Sequence, residues 1–315
     1  MKRMILAGAN GFLGGVLARY FGRRGWTIVG LTRRPGTGSV PAGVREVAWD
    51  GANVGAWAAE LEGADVVVNL AGRSVDCRYT EPNRRAIWNS RVDATRAIGS
   101  AIARCQTPPA VWLNAGTATI YRHSLEQPMG EDGVIAGTPG IKDEFSVAVA
   151  QAWEAALAEA ATPRTRRVSM RLAMVLGRGS EGVLPVLRRL ARRGLGGTMG
   201  DGRQYVSWLH EADFCRAVEW LIEHPELAGA VNVTSPQPLP NEMMMRQLRE
   251  QVRAPFGLPA TKWMLEIGAI FLRTETELIL KSRRVVPARL QASGFRFEFP
   301  EFAGAVADLA GPACA

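Results

Sequence analysis

The chain has 315 residues, 47% of them apolar and 22% charged, with a net charge of +8. That is enough apolar chain for one large core with a smaller appended lobe, and it excludes a disordered protein. The arginines are spread along the sequence rather than gathered in one block, which suits small anionic ligands and gives nucleic acid no support beyond the charge itself.

At the start, Lys2 and Arg3 precede an apolar stretch that reaches Ala18, an arrangement that imitates a secretory signal. Gly8, Asn10, Gly11, Gly14 and Gly15 break that stretch, so it reads instead as strand 4–7, the Gly-rich turn GANGFLG, helix 12–21 and strand 27–31. The alternation continues with strand 44–48, helix 54–61 and VVVNLAG from Val66, a continuous apolar run that fits a parallel strand covered on both faces. A long helix over 84–103, a strand over 110–113, a helix over 144–160 and a strand over 168–176 follow. Repeated β-α-β units predict an α/β fold, a doubly wound parallel sheet of the Rossmann type over residues 1–177 that binds a dinucleotide.

After residue 177 the texture changes to a basic amphipathic helix, VLPVLRRLARR, a Gly-rich loop, GLGGTMGDGRQ, a short strand, YVSWLH, and a helix over 212–223. Residues 178–315 are expected to form a smaller C-terminal α/β substrate lobe, with some later elements returning to the first sheet. WMLEIGAIFL from Trp263 is about half the ~20 residues that a membrane span needs, and it carries Glu266. Cys77, Cys105, Cys215 and Cys314 form no CxxC pair and no cluster of zinc spacing, so reduced thiols, no metal and a cytoplasmic location are expected.

A Gly-rich turn between a first strand and a first helix leaves the leading N–H groups of the helix unpaired and lets a pyrophosphate approach the backbone. Gly8, Gly11 and Gly14 supply that turn here in GxxGxxG spacing, with Asn10, Phe12 and Leu13 between them. The second strand ends in GLTRRPG, with Thr32 and Arg33 where a carboxylate would select NAD(H), so NADP(H) is favoured over NAD(H).

GANGFLG and NLAG resemble the short-chain dehydrogenase/reductase superfamily in its extended epimerase/dehydratase branch. WNSRVDATRAI, GLGGTMGDGRQYVSWLHEADF and LILKSRRVVPARLQASGFRFEFP narrow the resemblance to the atypical epimerase family proteins, which carry a C-terminal domain of unknown function. That resemblance implies cofactor contacts at Leu70, Ala71, Gly72, Arg91, Met174 and Val175. In the superfamily a YxxxK pair moves the proton, whereas the matching positions here are Phe145 and Val149 in DEFSVAVAQAW. Thr117 and Tyr121 in LNAGTATIYRHS are the remaining candidates for catalysis. Arg203, Gln204 and Trp208 are the candidates for substrate, and His210 and Asp213 are expected to fix a loop and cap a helix. Two functions stay open: an NADP(H)-dependent oxidoreductase or epimerase acting on an unidentified small molecule, and a non-catalytic NADP(H)-binding sensor or scaffold.

Overall fold

A computed structural model describes residues 1–38, 40–179, 182–266 and 275–311. The later part of the WMLEIGAIFL segment and Cys314 lie outside the described residues. Among those described, no helix is long and apolar enough to cross a membrane.

Six strands run through the first half: β1 (Arg3–Ala7), β2 (Thr27–Thr32), β3 (Val44–Ala48), β4 (Val66–Asn69), β5 (Val111–Thr117) and β6 (Arg166–Leu172). With β10 (Gly229–Val233) they form a seven-stranded parallel sheet in the order β10-β6-β5-β4-β1-β2-β3. The order reverses between β1 and β4, which places a crevice at the carboxyl ends of those two strands. Successive residues of β1 point to opposite faces. Met4 and Leu6 enter one core with α1 (Phe12–Gly22) and α5 (Glu211–Glu223), while Ile5 and Ala7 enter a second core with α2 (Glu81–Ile102). Burial on both faces is the physical reason β4 reads as an unbroken VVV.

Three elements differ from the sequence expectation. Residues 54–61 hold only a 3-10 turn, Ala56–Leu61, where a full helix was expected. β5 runs on past Leu113 to Thr117, because buried Asn114 finds a partner in Asn69, whose Nδ2 donates to Asn114 Oδ1 at 2.7 Å. The strand expected over 168–176 breaks at Ala173, whose N–H turns to the Val233 carbonyl. Beyond the break, β7 (Met174–Leu176) leaves the main sheet and pairs with β9 (Trp208–His210).

The second half supplies a third core, in which α4 (Val183–Arg192), α6 (Asn241–Val252) and α9 (Phe302–Asp308) surround Trp208. Beside it, β8 (Tyr205–Val206) and β11 (Leu239–Pro240) form a short antiparallel pair. Two short helices, α7 (Glu277–Leu280) and α8 (Ala288–Ala292), lie between α6 and α9 in sequence. Leu290 of α8 and the following Phe295 are buried in the core of the first sheet rather than in the second-half core.

Candidate functional site

The crevice floor is glycine for two steric reasons. Gly8 adopts φ +79°, and a Cβ there would stand 2.9 Å from the Leu70 carbonyl carbon. A Cβ on Gly14 would stand 2.2 Å from the Gly8 carbonyl oxygen. Gly11 is different: a Cβ there would meet only that same oxygen, at 3.5 Å. Gly11 caps α1 with no side-chain hydrogen bond, and the first turn of α1 carries no acidic residue. An uncapped helix N-terminus with no competing carboxylate is a fit for a pyrophosphate.

Two adjoining clefts of about 550 and 570 Å³ share this floor. Gly8, Gly11, Phe12, Leu13, Leu70, Ala71, Gly72, Arg91, Met174 and Val175 border the first. Asn10, Thr32 and Arg33 border the second, and the same three meet Arg34 and Thr37 around a further recess of about 450 Å³. Arg33 and Arg34 are exposed and form no ion pair among the described residues. Arg91 projects from α2 beneath Gly72, donates to the Ile87 carbonyl at 3.1 Å and lies over the Trp153 ring at 5.2 Å. Burial lowers its pKa to about 10.

Thr117, at the end of β5, borders the first cleft, and its Oγ1 accepts the Thr119 N–H at 3.2 Å. Tyr121 is buried away from that lining. Its hydroxyl donates to Asn232 Oδ1 at 2.7 Å and accepts from Arg171 Nη1 at 2.6 Å. Glu154 holds Arg171 in turn, at 2.7 and 2.8 Å. Burial pushes the Tyr121 phenol up against the opposing pull of Arg171. Phe145 and Val149, on α3 (Glu144–Ala158), both border the cleft.

The three residues expected at the substrate border neither of the two clefts. Arg203 is exposed, with its N–H on Asp201 Oδ1 at 3.0 Å. Gln204 donates to the Met199 carbonyl at 2.7 Å beside a separate recess lined by His123, Lys142 and Asp201. Trp208 is fully buried against Phe302, and its indole N–H donates to the Gln237 carbonyl at 3.0 Å. His210 caps α5 by accepting the Ala212 N–H at Nδ1, 3.0 Å, and stacks on Phe299. Asp213 accepts the backbone N–H groups of Glu298 and Phe299, each at 2.8 Å.

Sequence reasoning missed Tyr79, Ser146, Val183 and Leu278, all of which border the first cleft. One signal was available for Tyr79: it immediately precedes Thr80, Glu81 and Pro82, a helix-start pattern at the carboxyl edge of the sheet. Leu278 gave none, because nothing in the local sequence shows that α7 folds back over the crevice.

Residues 4–234 match the NAD dependent epimerase/dehydratase family, and residues 260–309 match a domain of unknown function, DUF1731. Human epimerase family protein SDR39U1 is 28% identical over 312 residues, which cover 98% of this chain and 99% of that protein. Epimerase family protein YfhF of Bacillus subtilis (strain 168) is 30% identical over 308 residues, 96% of each. The crystal structure of human SDR39U1 (isoform2) with NADPH is similar at a TM-score of 0.84 and 28% identity, covering 98% of this chain and 99% of that one. UDP-N-acetylglucosamine 4-epimerase from Bacillus cereus shares the fold at a TM-score of 0.75 and 16% identity, with 98% and 95% covered. With the match spanning most of its length, the chain belongs to the NAD dependent epimerase/dehydratase family, in the extended short-chain dehydrogenase/reductase superfamily.

Proposed function

We propose that the chain binds NADP(H) along the crevice and uses it for hydride transfer at a carbonyl or carbinol carbon of a small substrate. The observation that carries this reading is the glycine floor facing the uncapped, acid-free N-terminus of α1. The NADPH in the crystal structure of human SDR39U1 supports the same cofactor here. In this reading the N–H groups of Phe12 and Leu13 hold the pyrophosphate, Thr32 and Arg33 hold the ribose 2′-phosphate, and Arg91 supplies positive charge near the phosphates. The nicotinamide end lies by Thr117, Met174 and Val175. When bound, the cofactor supplies or takes up the hydride.

Thr117 accepts one hydrogen bond and gives its hydroxyl proton to no acceptor among the described residues, which leaves it to polarise a carbonyl oxygen. Tyr121, engaged with Asn232 and Arg171, is assigned a structural role. Because Arg203, Gln204 and Trp208 stand apart from the first cleft, the substrate end is assigned instead to Phe145, Val149, Val183 and Leu278. Those walls favour a carbonyl compound with an apolar body. Phe145 and Val149 at the usual Tyr and Lys positions favour the second reading, a binder that reports cofactor state without turnover.

Fluorescence titration tests the cofactor. NADPH is expected to bind more tightly than NADH, and Arg33→Ala to narrow that preference about tenfold, the size of one charge-assisted contact. An unchanged preference would remove the NADP assignment. Consumption of NADPH by any member of a carbonyl panel, slowed by Thr117→Ala, separates the enzyme from the sensor.

A further inference from the structure

Behind the cleft wall runs a chain of hydroxyl and carboxyl groups that cofactor binding leaves unused. Tyr79, on the loop between β4 and α2, borders the cleft and sets its ring edge-on to Phe145, with centroids 5.1 Å apart at 68°. Ser146 borders the same cleft, and its hydroxyl opposes the burial that raises the Tyr79 phenol. The Ser146 hydroxyl and Glu277 Oε2 are 2.7 Å apart, a hydrogen bond in which the serine donates to the ionised carboxylate and accepts from the protonated acid. Glu277 comes from α7, inside the segment that matches the domain of unknown function, and is 4% exposed. Its Oε1 has no hydrogen-bond partner among the described residues. The neighbouring Glu275 accepts the Tyr79 N–H at 2.6 Å, which ties the Tyr79 loop to the same segment.

An aromatic side chain placed only for packing needs no buried acid behind it. A buried carboxylate with an unpartnered oxygen is costly when ionised, so burial holds the Glu277 carboxyl above its ordinary range and favours the protonated form. Two guanidinium groups, Arg91 and Arg283, lie within electrostatic reach of the phenol and favour its ionised form, against Glu277 and Glu275, which raise its pKa. In the superfamily a lysine plays that part.

We propose that Tyr79 is the proton donor of this cleft and that Ser146 and Glu277 relay the proton that recharges it. The proposal rests on the cofactor reading above. In the reducing direction, hydride from the reduced nicotinamide forms a C–H bond at the carbonyl carbon while the C=O π pair moves to oxygen. Tyr79 gives its proton to that oxygen, Ser146 gives its own to the Tyr79 oxygen, and Glu277 gives its own to Ser146. The products are the carbinol, oxidised cofactor and an ionised Glu277, which takes one proton from water. Oxidation runs the same transfers in reverse.

The test follows the absorbance of phenolate against pH in the full chain and in Tyr79→Phe, with and without NADP+, while NADPH fluorescence measures binding on the same preparations. The groups facing Tyr79 are Arg91, Arg283, Glu275, Glu277 and Cys77. Burial pushes the free phenol up to about 12. NADP+ is expected to move the step that Tyr79→Phe removes to lower pH by about one unit, because the oxidised ring is cationic. Glu277→Gln is expected to move it the same way without cofactor, because it removes a charge that raises the phenol. A relaying Glu277, unlike a merely structural one, also makes Glu277→Gln slow the oxidation of NADPH with NADPH affinity retained. Single-turnover oxidation of NADPH by phenanthrenequinone should be about 100-fold slower in Tyr79→Phe, with NADPH affinity retained. A wild-type rate no faster than that of Tyr79→Phe, or a Tyr79 step that NADP+ leaves in place, overturns the proposal and leaves the cofactor reading standing. Failure of the wild type to bind NADPH overturns both.

Discussion

Gly11 and Gly14 stand three residues apart in one motif, and the structure gives them different tasks. Gly14 serves the chain, since a Cβ there would collide with the Gly8 carbonyl at 2.2 Å. Gly11 borders both clefts, and its Cβ would meet the protein only at ordinary contact distance, so on the cofactor reading it serves the ligand. Gly14→Ala is therefore expected to lower stability by about 1–3 kcal/mol, the usual cost of forcing extra volume into a packed site. Gly11→Ala should keep wild-type stability and weaken NADPH binding at least tenfold. Denaturant melts and NADPH titration of the two variants check this, and equal loss of stability in both would contradict it. GxxGxxG spacing showed where the glycine turn lies but not this division, because what a Cβ at 11 or 14 would meet is set by the Gly8 carbonyl, in a turn where Gly8 takes φ +79°.

At the scale of elements, a buried ion pair is among the contacts that anchor the segment 275–286. Lys281 Nζ meets Asp143 Oδ2 at 2.7 Å and donates to the Thr119 carbonyl at 2.7 Å, with both charged side chains wholly buried. Asp143 Oδ1 also accepts the Thr138 N–H, at 2.8 Å, so the carboxylate holds the entry to α3 as well. Lys281→Met should cost about 3–5 kcal/mol, because it strands a buried carboxylate. Adding Asp143→Asn keeps the acceptor for Thr138 and removes the stranded charge. The double variant should recover all but the cost of the unpaired Thr119 carbonyl, about 1–3 kcal/mol. Urea melts of the three chains measure it, and additive losses would contradict it. The helix after Asp143 was legible from its apolar spacing. Its partner was not, because no local pattern links position 143 to position 281.

For the whole molecule, short apolar runs alternating with helix-spaced segments revealed the sheet, since strands buried on both faces carry their signal in their own residues. The later part was less legible because its contacts are with distant chain. β10 joins the sheet edge beside β6, and Leu290 and Phe295 share a core with Met4 and Val66. Arg289 donates to the Ala228 and Ala230 carbonyls at 2.7 and 2.6 Å, and Asp213 holds the backbone at residues 298 and 299. The first cleft takes walls from both parts, with Gly8 and Thr117 from one and Val183 and Leu278 from the other. Separating the parts would expose one shared core and split the cleft, so the chain is expected to unfold as one cooperative unit. NADPH at 100 times its dissociation constant should add about 2.7 kcal/mol to that single transition. Calorimetry with and without NADPH measures this. Two transitions, with NADPH raising only one of them, would show that residues 178–315 stand apart as an independent lobe.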